Sequence, residues 1–249
     1  MLLADKVVII TGGASPRGIG KATAIDMAGH GARIAIVDLH EEQAAAAAAD
    51  VGEAHRGYGC DVADRKACEA TLKRIVEEMG TPYGLVCFAG ISRSTRLMDI
   101  SPEEYEQVMA VNTRGTMNMC QAAVPGMQAA GGGSIVTVGS IAAQRGGGVF
   151  GASHYSASKG AVQCMAKALA RELAPTGIRV NAIAPGLIET DIFEGKLTED
   201  RKAEIAQTIP MLRVGQPKDV ATVCSFLVSD MAAYVTGVTL DINGGLHIH

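Results

Sequence analysis

Lys6-Val7-Val8-Ile9-Ile10-Thr11-Gly12-Gly13-Ala14-Ser15-Pro16-Arg17-Gly18-Ile19-Gly20 decides how this chain folds. A short β-branched, apolar run passes through a glycine-rich turn into a helical stretch over residues 18–30. The run is nearly continuous in hydrophobicity rather than alternating, which marks a strand covered on both faces, as in a parallel sheet between helix layers. Glycines let a backbone turn sharply and approach a ligand closely. Free N–H groups at a helix start favour an anion there, so a strand, glycine turn and helix in this order predict a nucleotide pyrophosphate site.

The same alternation continues outward. Residues 33–38, 85–89, 134–138, 179–184 and 238–242 read as further strands, and a weaker run at 55–61 brings the number to seven. Between them lie helical patterns at 41–51, 64–79, 102–130, 155–174 and 217–229. Ser101-Pro102-Glu103-Glu104 is a helix start, with a capping serine, proline at the first position and acids in the first turn. The alanine run at 44–49 reads simply as a strong helix former. Alternating strands and helices imply a doubly wound α/β sheet with right-handed crossovers. With no linker, repeat or composition break, residues 1–249 are expected to form one domain.

Composition narrows the function. The 249 residues carry a net charge of −4, 48% are hydrophobic and 19% charged, which excludes a disordered chain. A mildly acidic chain with scattered charges is not expected to grip nucleic acid through phosphates. No apolar run approaches the ~20 residues that span a bilayer. Asp5 and Lys6 interrupt what a signal peptide would need, so a cytoplasmic location is expected. The six cysteines stand singly, with no zinc-type spacing, and read as small buried hydrophobes. With 30 glycines, no tryptophan and only nine Phe and Tyr, ligand contacts should come largely from backbone.

Asp38 ends the second strand, eighteen residues beyond Gly20. A carboxylate there accepts from both hydroxyls of an adenosine ribose and repels a 2′-phosphate, which favours NAD over NADP. Arg17 pulls the other way, since a base in the loop could pair with that phosphate or simply stay solvated near the pyrophosphate. Asp61 could accept from an adenine amino group or cap the helix beginning near Asp64.

Tyr155 and Lys159 are four apart on a helical stretch and share one face. A neighbouring ammonium and a charged nicotinamide would both draw the phenol's pKa down from ~10 toward neutrality, so that Tyr155 can exchange a proton with an alcohol oxygen. Ser140 could hydrogen-bond the same oxygen, and Asn112 could hold a water linking Lys159 to solvent.

These residues, in this order behind a nucleotide loop, resemble the single-domain branch of the short-chain dehydrogenase/reductase family over essentially the whole chain. The glycine motif matches Thr11-Gly12 and Gly18-Ile19-Gly20, the adenine-contacting acid Asp61, and the active-site set Asn112, Ser140, Tyr155 and Lys159. The Pro-Gly segment beside the nicotinamide matches Pro185-Gly186-Leu187-Ile188-Glu189-Thr190, where the Ile188 backbone and the Thr190 hydroxyl would hold the carboxamide. The resemblance implies a Rossmann-type sheet ordered 3-2-1-4-5-6-7, a homotetramer, and hydride transfer between NAD(P) and a secondary alcohol or ketone. Ser15, Arg17, Val62, Ala89 and Gly90 join the expected cofactor contacts.

Three departures stand out. Five residues separate Gly12 from Gly18 where the family usually has three, so the phosphate loop is longer. The usual Asn-Asn-Ala-Gly after the fourth strand is Cys87-Phe88-Ala89-Gly90, which loses side-chain bonds that steady the sheet yet still lets the ribose approach. Ser140 and Tyr155 are fifteen apart rather than about thirteen, with Gly146-Gly147-Gly148 between them.

The expected substrate wall comprises Ser92, Arg93, Gln144, Arg145, Phe150, His154, Leu187 and Phe193, with residues 190–207 as a lid. Its polarity points to a polyol, sugar or hydroxy acid. The rivals are an NADPH-dependent 3-oxoacyl-acyl-carrier-protein reductase, which Asp38 opposes, a non-catalytic NAD-binding regulator, and an epimerase or dehydratase with tightly held NAD. The tail Gly245-Leu246-His247-Ile248-His249 could bind a metal or reach a neighbouring subunit, but packing of Leu246 and Ile248 at a subunit contact is the simpler reading, and no metal is assigned.

Overall fold

A computed structural model describes residues 1–147, 151–191 and 198–249. The chain order is β1 (Val7–Thr11), α1 (Ile19–Gly29), β2 (Arg33–Asp38), α2 (Glu41–Val51), β3 (Arg56–Gly59), α3 (Arg65–Met79) and β4 (Gly84–Cys87). Then follow α4 (Pro102–Met109), α5 (Gly115–Ala129), β5 (Gly133–Val138), α6 (Ile141–Arg145), α7 (Ser153–Leu173), β6 (Ile178–Pro185), α8 (Glu199–Ala206), α9 (Pro217–Val228) and β7 (Thr239–Ile242). The seven strands form one parallel sheet in the order β3-β2-β1-β4-β5-β6-β7, as the resemblance implies. The family's α/β, doubly wound architecture is therefore present.

Strand pleating divides the core into two layers. Val7 and Ile9 of β1 face one side with Leu72 and Ile75 of α3 and Met119 and Met127 of α5. Val8 and Ile10 face the other with Ala24 and Met27 of α1 and Val220 and Leu227 of α9. Ala44, Ala47 and Ala48 belong to this second layer. Their role is more than helix propensity: a Cβ at Gly57 of β3 would sit 2.1 Å from the Ala44 carbonyl carbon, so α2 lies on the sheet at a distance that only small residues permit. Among the described residues no helix is long and apolar enough to cross a membrane.

The stretch over 102–130 is helical almost throughout, in three consecutive segments. Ser101 caps α4 as expected, its Oγ accepting from the Glu104 N–H at 3.2 Å with Pro102 in the first turn. A π-helical turn over Ala110–Arg114 then separates α4 from α5. An inserted residue of this kind rephases a helix face and recurs at functional sites, and here it carries Asn112.

Candidate active site

The C-terminal ends of the strands open onto a cavity of 1160 Å³, where ligands bind in doubly wound sheets. Every expected cofactor contact lines it except Arg17: Gly12, Ser15, Gly18, Ile19, Gly20, Asp38, Asp61, Val62, Ala89, Gly90, Tyr155, Lys159, Pro185, Gly186, Ile188 and Thr190. Gly12 is required twice over, since its φ is +68° and a Cβ there would lie 2.6 Å from the Ala89 N. A Cβ at Gly20 would meet the Gly12 carbonyl oxygen at 2.4 Å, so helix α1 begins against the turn itself. Thr11 ties this turn to the strand end where the asparagines are missing, its hydroxyl accepting from the Ala89 N–H at 3.1 Å.

Asp38 is held in place by the loop it faces. Its Oδ2 accepts from the Ala14 N–H at 2.9 Å and its Oδ1 from the Leu39 N–H at 2.8 Å. Arg17 is turned away from the cavity and paired with Asp191, Nε to Oδ1 at 3.1 Å. Asp191 also accepts from the Ser15 hydroxyl at 3.0 Å and the Arg17 backbone N–H at 3.1 Å. This acid, beyond the Pro-Gly segment, therefore reaches across to the glycine loop and pairs with the base that weighed against NAD. Asp64, not Asp61, caps α3 through the Lys66 and Ala67 N–H groups, which leaves Asp61 at the cavity wall, accepting from the Ala63 N–H at 2.9 Å.

Ser140, Tyr155 and Lys159 all line the cavity. Ser140 ends the turn after β5 and caps α6, its Oγ accepting from the Ala142 N–H at 3.1 Å, which leaves its hydroxyl proton for another partner. Lys159 is buried and donates to the Val138 carbonyl at 2.8 Å, with Nζ 5.9 Å from the centre of the Tyr155 ring. Burial lowers the Lys159 ammonium to a pKa of about 8. Burial also raises the Tyr155 phenol above its ordinary range, and hydrogen bonding with Ser140 opposes this only in part. The expected lowering thus does not arise from the chain's own groups. The ammonium spends its short contact on a carbonyl, and desolvation of the phenolate is the larger effect.

Asn112 does not line the cavity. Its side chain is consumed by structure: Oδ1 accepts from the Ile91 N–H at 2.8 Å, and Nδ2 donates to the Ile91 carbonyl and to Ser158 Oγ, each at 3.0 Å. It fastens the loop after β4 to α7. A Cβ at Gly90 would lie 3.1 Å from Asn112 Oδ1 and 3.5 Å from Lys159 Nζ, so glycine is what lets these groups gather.

The substrate wall differs most from expectation. Ser92, Arg145 and Leu187 line the cavity, whereas Arg93, Gln144 and His154 do not. His154 precedes Tyr155 by one position and so points about 100° away around the helix; its Nε2 lies 2.9 Å from Glu104 Oε1 of α4, in a buried pair. Gln144 turns to the C-terminal strand, donating to Asp241 Oδ1 at 2.7 Å. Phe150 and Phe193 lie outside the described residues, as does the middle of the expected lid. The rest of that lid, α8, supplies Arg201, Glu204 and Ile205, with Leu246 arriving from the tail. The expected lid, 190–207, covers Arg201, Glu204 and Ile205, although sequence reasoning singled out none of them, nor Leu246 as a wall residue.

These residues fit a dinucleotide: a glycine turn that a Cβ would fill for the pyrophosphate, and an oriented carboxylate where a ribose would lie. Comparison with known proteins agrees. A family model described as enoyl-(acyl carrier protein) reductase matches residues 12–247. An uncharacterized short-chain type dehydrogenase/reductase of Sinorhizobium fredii is 47% identical over the full length of both chains. The 3-oxoacyl-[acyl-carrier-protein] reductase FabG of Vibrio cholerae is 38% identical, again over all of both chains. Carbonyl reductase family member 4 of Xenopus laevis is 38% identical over 98% of this chain and 99% of its own. Fold, cavity and full-length similarity agree, and the chain belongs to the short-chain dehydrogenase/reductase family of NAD(P)-using oxidoreductases.

Proposed function

We propose that this protein interconverts a secondary alcohol and a ketone with NAD, using Tyr155 as the acid–base group. The observation that carries this reading is the convergence of Ser140, Tyr155 and Lys159 on the cavity that Asp38 and Gly12 also line. The glycine turn and the α1 N-terminus would hold the pyrophosphate, Asp38 the adenosine ribose, and Ile188 and Thr190 the carboxamide. The bound nicotinamide supplies or accepts the hydride. Ser140 donates to the substrate oxygen and orients it, and Tyr155 takes its proton in oxidation or returns it in reduction. The proton would pass on by way of Lys159, and Asn112 acts as a positioning residue by fixing the loop after β4 against α7.

The polyol and sugar readings lose support, because Gln144, Arg93 and His154, the polar residues behind them, face elsewhere. The cavity instead combines Ile91, Ile141, Leu187, Ile205 and Leu246 with Arg145 and with Arg201, the latter paired with Glu204 of the same wall. We therefore favour a hydroxy acid with an apolar body and an anionic end. The similarity to proteins named 3-oxoacyl-[acyl-carrier-protein] reductase supports a second reading, reduction of a 3-oxoacyl thioester. Oligomeric state belongs to the same proposal: a homotetramer, with a mass in solution four times 25.7 kDa.

Tyr155→Phe tests the mechanism. Turnover should fall about 10²–10⁴-fold, while NADH binding by calorimetry stays within about twofold; near-normal turnover would remove Tyr155 from the chemistry. Assaying hydroxy acids with NAD and oxoacyl thioesters with NADH and NADPH separates the two substrates. Activity confined to thioesters with NADPH would overturn both cofactor and substrate.

A further inference from the structure

The fold gathers three side chains near the C-terminus that the proposed reaction does not use. Asp241 lies in β7, and His247 and His249 lie in the tail, with one ligand atom from each within 4.8 Å of the others. His249 Nε2 is 3.2 Å from Asp241 Oδ2. Two ligands of a tetrahedral zinc ion, each bonded at roughly 2.0–2.1 Å, stand about 3.3 Å apart, so one edge of such a site already has its working length. The two imidazoles meet edge to face, with centroids 4.9 Å apart.

The gathering is built into the backbone. Gly244 and Gly245 adopt φ of +65° and +84°, turning the chain sharply after β7. Asn243 fixes that turn: its Oδ1 accepts from the Gly245 N–H at 2.9 Å and its Nδ2 donates to the His247 carbonyl at 3.1 Å. The tail is thereby sent back toward Asp241.

A second observation comes from α6. Gln144 Nε2 lies 2.7 Å from Asp241 Oδ1 and 3.3 Å from His249 Nε2, while its buried Oε1 has no hydrogen-bond partner among the described residues. An amide turned end for end keeps its shape. Turned, Gln144 brings its carbonyl oxygen toward Asp241 and His249, where a cation would satisfy it.

We propose that Asp241, His247 and His249, completed by the amide oxygen of Gln144, bind one divalent transition-metal ion of the zinc type. Two imidazoles with two oxygens suit zinc or nickel, whereas magnesium and calcium demand oxygen ligands throughout. The site lies beside the cavity, not within it. Leu246 lines the cavity and its carbonyl accepts from Arg145 Nη1 at 3.3 Å. A metal held by the residues on either side of this contact fastens the tail to α6, the helix that Ser140 caps.

Metal-stripped protein is titrated with Zn²⁺ against a chromogenic chelator, as wild type, His249→Ala and Asp241→Asn. The His249 side chain is 65% exposed and lies outside every strand and helix, so its replacement leaves folding intact. One equivalent per chain is expected in the wild type, with binding at least about tenfold weaker in each variant, since disturbing even the outer partners of a metal ligand costs 10–100-fold. Equal affinity in all three proteins overturns the proposal. X-ray absorption at the zinc edge should show two imidazoles in the wild type and one in His249→Ala; a sulfur ligand at about 2.3 Å would place the ion on a cysteine and overturn the assignment.

Discussion

Asp38→Asn isolates the electrostatic basis of the proposed NAD preference. A 2′-phosphate carries about −1.5 to −2 charge near neutral pH, as other phosphomonoesters do. Unit charges ~5 Å apart at an effective dielectric of about 20 interact by about 3.3 kcal/mol. Asp38 is only half-buried, and solvent and salt reduce the whole repulsion to about 2 kcal/mol. That corresponds to about thirtyfold in discrimination. The substitution also takes one acceptor from the Ala14 and Leu39 N–H groups. That loss weakens the phosphate loop for both cofactors alike, so the informative quantity is a ratio. Steady-state kcat/KM should be measured with NAD⁺ and NADP⁺ on the same alcohol. The NADP⁺/NAD⁺ ratio should rise about thirtyfold over wild type. A rise of less than about threefold would show that the carboxylate does not face the ribose 2′ position, and the cofactor assignment would fall with it.

Asp191→Ala breaks the contacts with Ser15 and Arg17 across the cleft; exposed pairs are worth up to about 1 kcal/mol, so NADH dissociation in stopped flow should quicken up to about fivefold. An unchanged rate would mean that Asp191 does not span the bound cofactor. Lys159 supplies a pH signature. Its pKa is held at about 8 against an ordinary 10.5, so the unfolded chain binds this proton more tightly between those values. The cost of burying the ammonium is fully present below pH 8 and fades as pH rises. Relative to Lys159→Met, the wild type should therefore gain about 1 kcal/mol between pH 7 and 9, read from urea unfolding; parallel curves would refute the burial argument.

Much of the site was legible because its signals are local. The strand, the glycine turn and the helix after it are consecutive, so Val7 to Gly20 declare a phosphate site without help from the rest of the chain. Tyr155 and Lys159 are related by helical periodicity, which four residues suffice to set. The same periodicity, applied one residue earlier, would have turned His154 away from the substrate and toward α4. Asn112 was recognisable as a member of the site, but its partners, Ile91 and Ser158, come from other elements, and these decide that its side chain clamps backbone instead of facing the cavity.

By itself, then, the sequence determined the order of strands and helices, the two-faced burial of the central strands, and the residues of the proposed cofactor turn and acid–base pair, because these depend on periodicity and on neighbours within a few positions. Only the tertiary structure decided that Arg17 meets Asp191, that Gln144 meets Asp241 and the tail, that α8 and Leu246 wall the cavity, and that burial outweighs the Ser140 hydrogen bond at Tyr155. Those outcomes rest on contacts between residues roughly a hundred or more positions apart and on how much water each group loses, and both are properties of the packed sheet.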